Sequence, residues 1–123
     1  MIKITIPLDP RTKKNSQQII LVKGRPMIFP SKKYKEYEKA CKEYLPYMED
    51  PINFPVNIKC VYYMATKRRC DLTNLLEATD DILVHYEVLE DDNYNIIVSH
   101  DGSRVLYDKD NPRTEILIEP IEE

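Results

Sequence analysis

The hydrophobic period of the chain changes near its middle, and this change limits the possible folds more than any other feature. The stretch VNIKCVYYM, Val56–Met64, alternates apolar and polar residues, the two-residue repeat of a long strand with one buried face. A short basic segment follows. Leu72, Leu75, Leu76, Thr79, Ile82, Leu83 and Tyr86 then recur at spacings of three and four, the stripe of a helix that buries one side. A strand and the helix it feeds are therefore adjacent in the chain.

The remaining patterns extend that unit at both ends. Ile2, Ile4 and Ile6 alternate with polar residues as a half-buried strand ended by Pro7, and residues 8–18 form a polar basic loop. IILV resumes a strand, with Gly24 and Pro26 marking a turn into MIF; the chain has only two glycines, so Gly24 and Gly102 are both turn candidates. Ser31 reads as the N-cap of a helix from Lys32 to about Met48. Tyr34, Tyr37, Ala40, Cys41, Tyr44 and Leu45 make its apolar face, opposite Lys32, Lys33, Lys35, Lys39 and Lys42. A helix must bury such a stripe, although tyrosines beside lysines can also stack bases and hold phosphates. Pro51 and Pro55 bracket a linker. Beyond the second helix, NIIVS, SRVLYD and TEILIEP read as three short strands, the first two joined by the tight-turn signal HDG, and the tail IEE as frayed. The order β, β-hairpin, α, β, α, β, β, β favours an α+β fold, a single domain over residues 1–123 with a mixed β-sheet and two main helices packed on one face.

With 123 residues, 42% apolar and 32% charged, the chain can form one domain that buries roughly two-thirds of its unfolded surface. No segment approaches the ~20 apolar residues that span a bilayer, and MIKITIPLDP lacks the long apolar run expected of a secretory signal. The cysteines, Cys41, Cys60 and Cys70, are odd in number and lack CxxC spacing, which fits free thiols in a reducing cytoplasm rather than a disulfide framework or a zinc site. The net charge of −3 hides a division: residues 1–70 carry fifteen Lys and Arg against six Asp and Glu, and residues 71–123 carry three against fifteen. An acidic total counts mildly against a nucleic-acid binder, but binding follows local potential, and the two halves can also pair with one another.

The sharpest local arrangement lies between Lys67 and Asp92. Lys67, Arg68 and Arg69 lead through Cys70 into Asp71, and Glu90, Asp91 and Asp92 follow about twenty residues later. Asp71 alone reads as a helix N-cap. Asn74, Glu77, Asp81 and His85 share a polar face of the helix, with Glu77 and Asp81 like charges one turn apart and His85 placed to pair with Asp81. If this helix packs antiparallel to the strand before it, the chain returns toward Asp71 after residue 92. Aspartates from two segments would then suit a hard, oxygen-liganded cation such as Mg²⁺, while the basic run would hold a phosphodiester. Lys13 and Lys14 are phosphate-contact candidates, Lys32 and Lys33 weaker ones, and His100 is a candidate base beside its turn.

These motifs resemble the RusA-like Holliday junction resolvases, whose pattern is a basic run, D-L-D-N-L, a helix with an internal Asp, and a D-D pair. Here the corresponding segments are KRRCDLTNL, Asp81 in DDIL, and EDD, and IPLDPRTKKNS resembles the family's early segment ending in Asn, here Asn15. The likeness runs from Ile2 to about Glu119. It implies a dimeric endodeoxyribonuclease, dependent on Mg²⁺ with Mn²⁺ able to substitute, that nicks four-way DNA junctions symmetrically in the cytoplasm of a bacterial or phage-infected cell. Carried over, it makes Asp71, Asp91 and Asp92 catalytic and metal-binding. Thr73 replaces the middle aspartate of D-L-D, and Glu77 stands where the family has a lysine; Asn74, Glu77 or Asp101 would have to supply the missing oxygen. Two other readings stand beside this one: an inactive binder of branched DNA with the same fold, and a module whose acidic half docks a basic protein.

Overall fold

A computed structural model describes residues 1–13, 17–30 and 32–121. The expected N-cap Ser31, the phosphate candidate Lys14, Asn15 and the last two residues of the IEE tail lie outside the described residues. The elements are β1 (Ile2–Ile6), β2 (Gln17–Val22), β3 (Arg25–Pro30), α1 (Lys32–Cys41), β4 (Val56–Met64), α2 (Leu72–His85), β5 (Ile97–Ser99), β6 (Arg104–Tyr107) and β7 (Arg113–Pro120), with a 3₁₀ turn at Lys42–Tyr44. Five strands form one sheet ordered β1-β7-β4-β5, with β6 also on β4; β2 and β3 form a separate two-stranded sheet.

β4 is central because its alternation matches its neighbours residue for residue. Val56, Ile58, Cys60 and Tyr62 are buried, and antiparallel register sets Ile58 against Ile118, Cys60 against Ile116 and Tyr62 against Thr114. β1 continues the layer with Ile4 opposite Ile116 and Ile6 opposite Thr114. A slip of one residue would turn all of these side chains to solvent, so burial fixes the register. Both helices cover this face. The Tyr62 hydroxyl meets the Leu75 carbonyl at 3.0 Å and Thr79 Oγ1 at 2.6 Å, and Tyr37 of α1 contacts Thr114. Tyr86 ties the helices together by donating to the Glu38 carbonyl at 3.0 Å. The mixed sheet with two helices on one face is the expected α+β architecture. Among the described residues no helix is long and apolar enough to cross a membrane.

Two elements differ from expectation. α1 ends at Cys41, well short of Met48. Leu45 is extended at φ −95 and ψ 144 because it precedes Pro46, whose ring disfavours helical geometry in the residue before it. Tyr44 accordingly leaves the buried stripe and is exposed.

The HDG turn does not make a hairpin. β5 and β6 both run parallel to β4, against Val56–Asn57 and Val61–Met64, so they form one edge strand interrupted at residues 100–103. The interruption is braced from β4: Asn57 accepts from the Asp101 amide at 2.8 Å, and the Cys60 amide donates to Ser103 Oγ at 3.0 Å. Gly102, at φ 88, allows the close approach, since a Cβ there would lie 3.1 Å from the Lys59 side chain.

Candidate nucleic-acid interface and acidic cluster

At the end of β4 the Ala65 amide donates to Asp9 Oδ1 at 3.1 Å, stitching the segment after β1 to the segment before α2. Between them lies an open cleft of about 450 Å³, lined by Asp9, Pro10, Arg11, Thr12, Lys33, Met64, Thr66, Arg68, Arg69 and Cys70. Four cationic side chains face one carboxylate, and Asp9 is itself paired with Arg11 at 3.4 Å. A concave surface lined mainly by one sign of charge focuses potential on anions. Of the expected basic run, Arg68 and Arg69 line this cleft. Lys67 lies instead over the Tyr107 ring, 5.1 Å from its centroid, and Lys13 is held by Asp81 at 3.1 Å. Sequence reasoning missed Arg11. A usable signal was present, since no Asp or Glu occurs from Pro10 to Lys35.

Cys70, the last residue lining the cleft, is followed in the chain by Asp71 at the start of α2. Asp71 occupies the N-cap with its backbone alone: its carbonyl accepts from Asn74 and Leu75, both at 3.2 Å, while its side chain caps no amide. The expectation of a capping carboxylate is corrected accordingly. The group stays exposed at the positive end of the helix, with the Asn74 amide donating to it at 3.4 Å.

The other acidic residues gather against the middle of α2. Asp91 accepts from the Asp92 amide at 2.7 Å and from Asn93 at 3.1 Å, which lowers its pKa. Asp92 is raised, first by partial burial and then by Asp91, with repulsion from Asp81 adding. Asp80 donates nothing and accepts from His100 Nε2 at 2.9 Å through Oδ2, while its Oδ1 is buried without a partner. Burial raises the Asp80 pKa, and the charges of Asp92 and Asp81 push it further against the opposing effect of His100. His85 packs edge-on against Tyr86, ring centroids 4.7 Å apart, rather than pairing with Asp81, whose partner is Lys13. Asp101 sits beside Asn57 at the other end of β4 from Asp71, which removes it as a source of the oxygen lost at Thr73.

Asp71 and Asp80 are nine residues apart on one helix, about 14 Å along its axis. Among the described residues, no three His, Cys, Asp or Glu side chains close into a group able to hold a cation. The donors nonetheless have the right chemistry for a hard cation: Asp71 with Asn74, and Asp91 with Asp92, are oxygen ligands of the kind Mg²⁺ takes.

His100 joins the edge loop to this cluster. Its Nδ1 faces the Ile58 carbonyl at 2.8 Å and its Nε2 faces Asp80. Both partners are acceptors, so the arrangement is best satisfied by the doubly protonated ring. Burial works against that charge, but the bond and charge of Asp80 outweigh it and raise the His100 pKa. A raised folded value means that the stabilisation is fully present below the unfolded value near 6.5 and is lost as pH rises through the folded value. The melting temperature of His100→Ala should therefore lie a few degrees below that of the parent near pH 6, the gap narrowing toward pH 9. A gap that widens with pH would contradict the charged pair.

Among known families, the model described as Endodeoxyribonuclease RusA matches residues 7–119, a span that takes in both walls of the cleft, all of α2 and the Asp91–Asp92 pair. No curated protein matches the chain.

Proposed function

The chain belongs to the RusA endodeoxyribonuclease family, and on that premise we propose that it is a resolvase that nicks four-way DNA junctions in paired, symmetric fashion. The observation that supports this reading is the cationic cleft, lined by Arg68, Arg69 and Cys70, the residues that directly precede Asp71 in the chain. A phosphodiester drawn in by Arg11, Lys33, Arg68 and Arg69 meets the exposed carboxylate at the start of α2. Two donor pairs, Asp71 with Asn74 at the start of α2 and Asp91 with Asp92 against its middle, would offer oxygens to Mg²⁺, or to Mn²⁺ in its place. A bound divalent ion supplies a water acidic enough to act as nucleophile and charge to offset that developing on phosphate. The chain's own cations bind and orient the backbone, and Asp9 fixes Arg11 within the cleft wall. One site cuts one strand, so a two-fold dimer is the simplest way to present two equal sites to a junction.

A labelled synthetic four-way junction and a linear duplex of the same length, each incubated with and without Mg²⁺, test the proposal. Paired nicks in the junction alone, dependent on the metal, are the expected result. A second reading, binding without cutting, is favoured by Thr73 in the D-L-D position and by the absence of a three-ligand group among the described residues. It predicts retention of the junction with no nicks. Equal failure to bind either DNA at low salt would leave the acidic half to a protein partner.

Replacing both Arg68 and Arg69 by Ala should weaken junction binding roughly tenfold or more and flatten the salt dependence by about two phosphate contacts. An unchanged salt slope would remove the cleft from the DNA path.

A further inference from the structure

We infer that the β2–β3 hairpin is a DNA-gripping arm, its cationic tip on phosphates and its aliphatic flanks against bases left unstacked at a branch point. The inference rests on the proposed function and adds a contact region separate from the cleft. β2 and β3 pair with each other in a sheet of their own, and a lone two-stranded hairpin is marginally stable in water. Lys23 and Gly24 form the two-residue turn at φ 51 and φ 78, the left-handed pair that a tight hairpin requires. Lys23 and Arg25 are exposed at this tip.

The flanks are unusual for a protein surface. Leu21 is 71% exposed, Met27 46% and Val22 38%. Register pairs Leu21 with Pro26 and Val22 with Arg25, so Leu21 lies on one face of the ribbon and Val22 and Met27 on the other. Apolar groups are thus left partly in water on both faces near the tip. Charge selects the occupant. From Pro10 to Lys35 the chain carries eight Lys and Arg and no acidic residue, so the arm rises from a segment of one sign and suits a polyanion. A two-stranded ribbon also fits the roughly 12 Å width of a DNA major groove, and aliphatic side chains inserted at a disrupted base step are an established way of holding bent DNA.

Two variants of the full chain test the arm by fluorescence anisotropy across a salt series. Lys23→Ala with Arg25→Ala should weaken binding to junction and duplex alike and lower the slope of log K against log salt by about 1.8, two phosphates at roughly 0.9 each. Leu21→Ser with Met27→Ser should keep duplex affinity and lose about fivefold or more of the preference for the junction, consistent with a few base contacts. Wild-type affinity and slope in the charge variant would overturn the arm while leaving the nuclease proposal standing. Sedimentation of the apolar variant as a monomer beside a dimeric parent would make the hairpin a surface between chains and overturn it as well. A parent protein that binds neither DNA takes both proposals down.

Discussion

Asp92→Asn should abolish cutting of a four-way junction while leaving the protein folded and bound to its substrate. The Asp92 carboxyl is raised by partial burial, and it faces Asp91, Asp81 and, across the same cluster, Asp80. Like charges held together weaken one another's ionised forms, and replacing one of them by a neutral isostere relieves that repulsion. The variant should therefore be no less stable than the parent. Junction affinity should be unchanged or tighter, because one negative charge facing phosphate is removed. The chemistry should fail, since a ligand of the proposed divalent ion is lost. Such an ion contributes several kcal/mol of charge stabilisation, so the single-turnover rate should fall roughly a hundredfold or more at 1.36 kcal/mol per factor of ten. Single-turnover cleavage at saturating protein, together with anisotropy on the uncut junction, separates the two effects. Full cleavage by this variant would remove the Asp91–Asp92 pair from the active site.

What could be read from the sequence was what is local. The change of period between Val56 and Tyr86 gave β4, α2 and the buried face of each, and the basic run beside Asp71 pointed to the cleft that Arg68 and Arg69 line. The early end of α1 was also readable, because Pro46 stands in the sequence and acts on its immediate neighbour. The side-chain pairings were not. Lys13 is 68 residues from Asp81, Asp9 is 56 from Ala65, and His100 is 20 from Asp80. No periodicity encodes such partners; the packing of the sheet creates them. Asp80 shows this most clearly. It borders the buried stripe of α2, next to Thr79, and its burial is tolerable because an interrupted edge strand delivers His100 to it. The HDG signal marked the interruption but not its form, since the same turn residues serve a hairpin or a loop whose two ends stay on one neighbour.

Tyr62→Ala should be the most destabilising single change in the domain, at about 3–5 kcal/mol. The ring is 1% exposed at the centre of β4, in register with Thr114 on β7 and directly beneath α2. Its hydroxyl meets both the Leu75 carbonyl and Thr79 Oγ1. Removing the ring leaves a cavity between the two layers that surrounding side chains fill only in part. A domain of this size holds about 5–15 kcal/mol in total, so the urea midpoint should drop by about a fifth or more with m unchanged. Tyr62→Phe separates packing from hydrogen bonding. Thr79 Oγ1 still donates to the Leu75 carbonyl at 3.0 Å without the phenol, so the Phe variant should lose only about 1 kcal/mol. The difference reaches function because α2 carries Asp71, Asp80 and Asp81, whereas the end of β4 leads into the basic run. Tyr62 is the clamp that fixes the acidic helix relative to the cationic cleft. Junction nicking by Tyr62→Phe should therefore match the parent at temperatures where Tyr62→Ala is already unfolded. A urea midpoint for Tyr62→Ala equal to that of Tyr62→Phe would show that α2 is held to the sheet by other contacts.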